Sequence, residues 1–288
     1  MNILEKLGNI CHYLVKHEEN LHKLNAYLIK YGYLNPAADQ TLDDLVEIIT
    51  IFQDMAGLTK TGIIDGKLLR VLDLPRCACK DNAIIEKLTD NKKWAINRFR
   101  YYIASYDSDY TKDKWNDIFA EALSHGKEVC NVDFTRVLHP QEAHFIIEFG
   151  REDGNSGTLA WQELPPTFNF NGQLKGLMDR DENWLRTKPI NVIRHELMGH
   201  GLGLSHSKMN NQLLSPFYSA DIGTMQSEDI SRLQKLYGKS LVGVPTPTVP
   251  PTVGNQELVI RVDTKIITKL KVPDGRLSID GFRVSKIG

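Results

Sequence analysis

The 288-residue chain reads as an α+β protein: a helical bundle first, a domain of strands and long helices second, and a short β tail last. Three observations predict this. Apolar residues recur at helical spacing through the first part of the chain. Alternating, aromatic-rich segments then flank one long amphipathic stretch, and a Pro/Thr run precedes a tail that alternates apolar and polar residues.

At 41% hydrophobic residues, a chain of this length can bury one good core and a second. The formal net charge of −1 gives no basic field to draw nucleic acid or an anionic membrane surface. No apolar run approaches the length that crosses a bilayer. Met1-Asn2-Ile3-Leu4-Glu5-Lys6 places an acidic residue early and has no apolar core of signal-peptide length, so a leader has been lost or never existed. Four cysteines (Cys11, Cys77, Cys79, Cys130) are too few for a disulfide framework in this length, and Cys77 and Cys79 are poorly spaced for a mutual bridge.

In the bundle, Leu4, Leu7, Cys11 and Leu14 share one face, and Leu21, Leu24 and Leu28 continue after the charged break at His17-Glu18-Glu19. Gly32 and Pro36 stop this second helix. A third starts after Asp39 to Thr41 and carries Leu42, Leu45, Ile49 and Phe52. Next, Arg98 to Tyr106 alternates and suits a first strand, and Trp115, Ile118, Phe119, Ala122 and Leu123 mark a long helix packed on a sheet. Ala143–Phe149, Thr158–Trp161 and Leu174–Asp179 are further strands, and a closing helix follows Ser227 as N-cap. Val244 to Thr252 is a stiff linker. The tail carries Leu258, Ile260 and Val262, turns at Pro273-Asp274-Gly275, and resumes at Leu277, Ile279 and Val284.

The chemistry concentrates in Arg194 to Ser207, R-H-E-L-M-G-H-G-L-G-L-S-H-S, which resembles the zinc-binding helix and turn of the metzincin peptidases. His200, Gly203 and His206 fit H-x-x-G-x-x-H. Between His195-Glu196 and His200, however, stand three residues where the pattern has two. On a regular helix a residue four places away lies about 40° round the axis and one five places away about 140°, on the wrong face. Two arrangements answer this. A single-turn π-bulge near Met198 brings His195 back beside His200; an unbulged helix offers Glu196 as a carboxylate ligand instead and leaves the site without its base.

Two upstream segments carry a more specific likeness. F-Q-x-x-x-G-L-x-x-T-G-x-x-D, from Phe52 to Asp65, resembles the peptidoglycan-binding-like module that forms the propeptide of matrix metalloproteinases, the matrixins. Leu74-Pro75-Arg76-Cys77-Ala78-Cys79-Lys80-Asp81 is similar to their P-R-C-G-x-P-D switch, with Ala78 and Lys80 departing from it and Cys79 adding a competing thiol. Downstream, Leu214 stands where the family's Met-turn has methionine, and Pro216 and Tyr218 match the pocket wall.

The resemblance implies a zymogen of a zinc metalloendopeptidase. Residues 1–81 become a helical propeptide with Cys77 as the zymogen switch braced by Arg76 and Asp81. Residues 82–93 become an activation linker, 94–239 the peptidase domain with its mixed twisted sheet, 240–256 the Pro/Thr linker and 257–288 the β tail. It implies one catalytic Zn2+ held by His195, His200 and His206, Glu196 as the base, and a substrate pocket at Leu214, Pro216 and Tyr218. Gly150 to Met178 contains no histidine, so no structural zinc is expected there, while Asp153, Asp179, Asp181 and Glu182 could hold Ca2+ or simply form a solvated face. The partners implied are a protein or peptide substrate and an activating protease, with no nucleic acid, in an extracellular setting. The alternative is a catalytically silent, matrixin-like binding or scaffold protein whose inserted residue has dismantled the site; a cell-wall-binding task for the helical module is a third reading.

Overall fold

The computed structural model describes residues 3–9, 18–81, 92–242, 256–262 and 265–272. Cys11, most of the expected activation linker, the Pro/Thr run and the expected turn at Pro273 lie outside these residues.

The first part of the chain is helical: α1 (Ile3–Asn9), α2 (Glu18–Lys30), α3 (Leu42–Met55) and α4 (Gly66–Val71). Leu7, Leu24, Leu28, Leu45, Ile49, Phe52 and Leu68 are fully buried in a core of their own. Thr41 caps α3 through Asp44 N–H at 3.1 Å. The F-Q…T-G…D pattern has a mechanical explanation. Gln53, buried, accepts from the Thr61 and Gly62 amides (2.8 and 2.9 Å) and donates to Ile63 O at 2.9 Å, so one side chain holds the whole turn. Gly62 has φ +67°, a conformation that favours glycine, and Asp65 caps α4 through two N–H groups at 2.9 Å.

The rest of this unit is built on a six-stranded mixed sheet, β1 (Arg76–Cys77), β2 (Arg98–Ile103), β3 (Asp133–Arg136), β4 (Phe145–Gly150), β5 (Thr158–Gln162) and β6 (Leu174–Asp179), in the order β1-β5-β6-β4-β2-β3. β5 is antiparallel to β6; the other pairs are parallel. α5 (Lys112–Val129) follows β2 and buries Trp115, Phe119 and Ala122 among Phe145, Ile147 and Phe149 of β4 and Leu197 and Met198 of the site helix. Each such apolar side chain contributes roughly 1.5–3 kcal/mol of burial. β1 is the unexpected member. Two residues that follow the helical bundle add themselves to the sheet edge beside β5, with Arg76 N–H donating to Gly157 O (3.1 Å) and Ala78 N–H to Ala160 O (3.0 Å).

α6 (Pro189–Ile193) leads into the histidine-bearing stretch, and α7 (Ser227–Tyr237) closes the unit. Ser227 is not the N-cap. The helix begins one residue earlier than expected: Gln226 occupies the cap position, and its N–H donates to Asp229 Oδ2 at 3.4 Å. The first strand also ends earlier than the alternation predicts, at Ile103 rather than Tyr106. A second unit, residues 243–288, contains an antiparallel pair, β7 (Gln256–Val262) and β8 (Lys265–Val272), in which Gln256 faces Val272. β7 coincides with the expected alternation at Leu258, Ile260 and Val262.

Candidate active site

Pro189 opens α6 at its first turn, where a missing N–H costs nothing. After Ile193 the helix widens: Arg194–Gly199 is π-helical, and His200 N–H donates to both Glu196 O and His195 O. The second of these spans five residues, as in a π turn. The extra residue is therefore absorbed inside the turn, and His195 stays on the face of His200. Arg194 ties the widened turn to its surroundings, donating to Ala122 O (3.2 Å) and Gly223 O (2.5 Å). A short 3-10 turn, His200–Leu202, ends at Gly203 with φ +100°. A side chain there would collide with Lys92 O, so glycine is required both by conformation and by space.

This geometry brings three imidazoles together. His195 Nε2 lies 3.2 Å from His200 Nε2, and His200 Nε2 lies 3.1 Å from His206 Nε2. All three rings are buried. Their other nitrogens face acceptors: His195 Nδ1 is 2.7 Å from Leu213 O, His200 Nδ1 is 2.8 Å from Leu204 O, and His206 Nδ1 is 2.8 Å from Asp81 Oδ1. Protons on Nδ1 of His195 and His200 satisfy the first two contacts and leave their Nε2 lone pairs aimed at one point, while His206 Nδ1 lies beside Asp81 without a well-aligned hydrogen bond to it. Three lone pairs this close repel unless a cation sits between them. Zinc–nitrogen bonds of 2.0–2.1 Å in a tetrahedron separate the nitrogens by about 3.3 Å, so the residues present fit a zinc ion.

Cys77 Sγ completes a four-member set with His195, His200 and His206, all ligand atoms lying within 4.8 Å of one another. A second set shares Cys77 and His200 and adds Cys79 and Glu196. Cys77 is held in place from both sides. Its N–H donates to Pro216 O (3.1 Å), its sulfur receives Cys79 N–H (3.3 Å), and Cys79 Sγ reaches Gln162 O (3.3 Å). Arg76 and Asp81 form a buried ion pair at 2.6 Å. The guanidinium lies 3.6 Å from the Tyr31 ring centre, and Tyr27 Oη and Tyr33 Oη bond Arg76 (2.7 Å) and Asp81 (2.5 Å) respectively. Burial works against ionised Asp81, but Arg76 and His206 outweigh it and hold the carboxyl below its usual range.

Glu196 is buried beside the histidines, with one carboxylate oxygen lacking a hydrogen-bond partner. Burial, reinforced by Cys79, pushes its pKa up to about 8. Burial likewise holds His195 well below the ordinary imidazole value and His206 down to about 4, whereas at His200 burial is outweighed by Cys79 and Glu196, which raise that ring to about 9; the positive charge this cluster favours falls at the central imidazole. A pocket opens next to this group, lined by Cys77, Val192, His195, Glu196, Pro216 and Tyr218. Leu214 is placed differently from the expected pocket role. It is fully buried under Gly199, and its neighbour Leu213 takes the lining position. The expected calcium carboxylates are occupied locally: Asp153 pairs with Lys30 (2.9 Å), Asp181 with Arg151 (3.1 Å), and Asp179 and Glu182 accept backbone N–H groups.

A family model described as Matrixin matches residues 93–238, half of the chain. The chain is a matrixin. Among its relatives are Matrix metalloproteinase-C of Caenorhabditis elegans, 29% identical over 75% of this chain and 43% of that protein, and Stromelysin-1 of Equus caballus, 30% identical over 77% and 50%. Matrilysin of Mus musculus is 29% identical over 74% of this chain and 84% of its own length. This matrixin thus spans half or less of the length of the first two relatives. The histidine stretch and the pocket segment at Pro216 and Tyr218 both lie inside the matched region. Cys77, Arg76 and Asp81 lie before it. Asp81 at His206 Nδ1 is the functional contact that sequence reasoning missed: the family pattern pairs Asp81 with Arg76, and no local signal reports a neighbour so distant along the chain.

Proposed function

We propose that this chain is the latent form of a zinc-dependent metalloendopeptidase of extracellular setting. Residues 1–81 serve as its propeptide, 82–93 as the activation linker, 94–239 as the peptidase domain, 240–256 as a linker and 257–288 as an accessory tail. His195, His200 and His206 hold the zinc, Glu196 is the base, and Pro216 and Tyr218 with Leu213 shape the substrate pocket. The single observation that carries this reading is the convergence of three Nε2 atoms beside a buried carboxylate despite the extra residue.

A bound Zn2+ supplies Lewis acidity and lowers the pKa of water toward 7. Glu196, buried beside the three histidines, would in its ionised form accept a proton from the attacking water and deliver it to the leaving amine. The β5 edge and the Pro216 to Tyr218 segment provide backbone groups on either side of an extended peptide. In the latent chain those same groups bind Arg76 to Ala78, and the Cys77 thiol stands in the fourth ligand position. Substrate binding and inhibition therefore compete for one groove, and an activating protease acting between Asp81 and Trp94 would free it.

The silent-relative alternative required the inserted residue to turn His195 away, and the π turn removes that premise. The test is to remove the residues before Trp94 and follow hydrolysis of a generic peptide. Turnover abolished by a chelator, and reduced roughly 10²–10⁴-fold by Glu196→Ala with zinc retained, supports the proposal. Equal, negligible cleavage in every sample overturns it.

A further inference from the structure

Two of the three imidazoles are oriented by backbone carbonyls inside the matched domain, Leu213 O and Leu204 O. The third, His206, is met by a side chain from before the matched domain, Asp81, at 2.8 Å with both side chains sealed from solvent. We infer that Asp81 is a positioning residue for the metal: it fixes the ring and tautomer of His206, so the latent chain grips zinc more tightly than its own peptidase domain does alone. The inference rests on the zinc reading above.

Pairing with Arg76 does not account for the contact. Arg76 spans both carboxylate oxygens (2.6 and 3.2 Å), and a bidentate pair of this kind needs no third partner. Asp81 Oδ1 nevertheless stands at His206 Nδ1, while Oδ2 takes Tyr33 Oη. The carboxylate is thus fixed by groups on its far side and aims its remaining capacity at the ring. A histidine that ligates through Nε2 needs its Nδ1 proton accepted, and an acceptor carboxylate also makes the ring a stronger donor to the metal. Here that acceptor arrives with Tyr27, Tyr33 and Arg76, all from the segment that the proposed activation removes. Losing this segment therefore frees the fourth coordination position and also strips the third ligand of its outer partner. Zinc retention falls in the same event that opens the site.

The experiment uses the full chain and zinc competition against a chromogenic chelator. Asp81→Ala is expected to weaken zinc binding by 10–100-fold. Asp81→Asn, which keeps a carbonyl oxygen near His206, restores part of the loss. Tyr27→Phe removes one bond to Arg76 in the same network and leaves the affinity unchanged. Because Asp81→Ala leaves Arg76 unpaired and could unfold the segment, the double variant Arg76→Met/Asp81→Leu is measured beside it. That variant replaces the ion pair by apolar groups, a change that folded proteins tolerate, and is expected to show the same weakened binding. In zinc-loaded protein carrying 15N-histidine, the His206 Nδ1–H signal should persist in wild type and Asp81→Asn and vanish in Asp81→Ala. Unchanged affinity in both Asp81→Ala and the double variant overturns the inference and leaves the zinc reading standing. A wild-type chain that takes up no zinc overturns both.

Discussion

His195 and His200 are five positions apart and yet place their Nε2 atoms 3.2 Å from each other. Only a widened turn allows this, because an α-helical turn would set them about 140° apart. The residues that make the turn, Leu197 and Met198, are themselves buried in the domain core. Packing on α5 and the bonds of Arg194 hold the bulge.

This arrangement predicts the outcome of shortening the turn. Deleting Met198 should convert Arg194–Gly199 to a regular helical turn with His195 and His200 at four-residue spacing, keeping all three ligands on one face. The loss of one buried side chain should lower stability by about 2–5 kcal/mol. Zinc stoichiometry and thermal unfolding measure the two effects. A folded deletion variant without zinc would show that the π turn itself, and not the convergence of the rings, is what the metal needs.

Gly199 and Leu214 make a second prediction. A Cβ at residue 199 would collide with one methyl group of Leu214 and stand 3.0 Å from the other, and Leu214 is fully buried. Gly199→Ala should therefore cost roughly 1–3 kcal/mol through overpacking and loosen the zinc site above it. Adding Leu214→Ala should recover much of the zinc affinity, because the clashing group is gone. Double-mutant analysis of zinc binding and unfolding checks this; independent, additive losses would mean that the two residues do not share one contact.

These two sites show what the sequence could and could not convey. The count of three residues between Glu196 and His200 forces a choice between a widened turn and a different ligand, and periodicity alone poses that choice clearly. The helix starting after Thr41 is readable for the same reason, since amphipathic spacing is local, and the structure adds Thr41 as its cap. What decides in favour of the widened turn is tertiary: the room that Leu197 and Met198 find against α5. The same limit explains Leu214. Its place in the motif suggested the pocket, but in the turn that carries both residues Leu214 packs against Gly199 and Leu213 lines the pocket, so the two divide the roles between them. Gln226 displaced Ser227 as N-cap because the buried Asp229 carboxylate reaches back to the Gln226 amide. The attachment of β1 to the sheet edge and the reach of Asp81 to His206 join distant parts of the chain, and no spacing rule reports them.

Cys77 supplies a third prediction. Its sulfur lies with the three histidines in one ligand set, held by Pro216 O through its own amide and by the Cys79 amide. Cys77→Ser keeps the backbone bonds and removes the thiol, a far better zinc ligand than a hydroxyl. The full-length variant should hydrolyse a generic peptide, and process itself, under conditions where the wild-type chain is silent. Unchanged latency would place the inhibitory contact elsewhere, and a further loss of latency in Cys77→Ser/Cys79→Ser would assign part of it to the second thiol.

Asp229 gives the pH dependence. Its carboxyl lies under the pocket segment and accepts Leu213 N–H at 2.9 Å, but burial outweighs these bonds and raises its pKa from 3.8 to about 6. A carboxyl raised in the folded state favours the neutral form there. Its cost to folding is therefore absent below the unfolded value, grows as pH rises from about 4 to 6, and is constant above that. A two-unit shift corresponds to at most about 3 kcal/mol. Asp229→Asn keeps an acceptor for Leu213 and cannot ionise, so it should be the more stable protein at pH 7 and match wild type near pH 4. Denaturant titrations at a series of pH values check this. A variant that is less stable than wild type at pH 7 by the same margin as at pH 4 would mean that the ionised carboxylate, through its bonds to the amides of Leu213, Leu214 and Gln226, stabilises the turn after all.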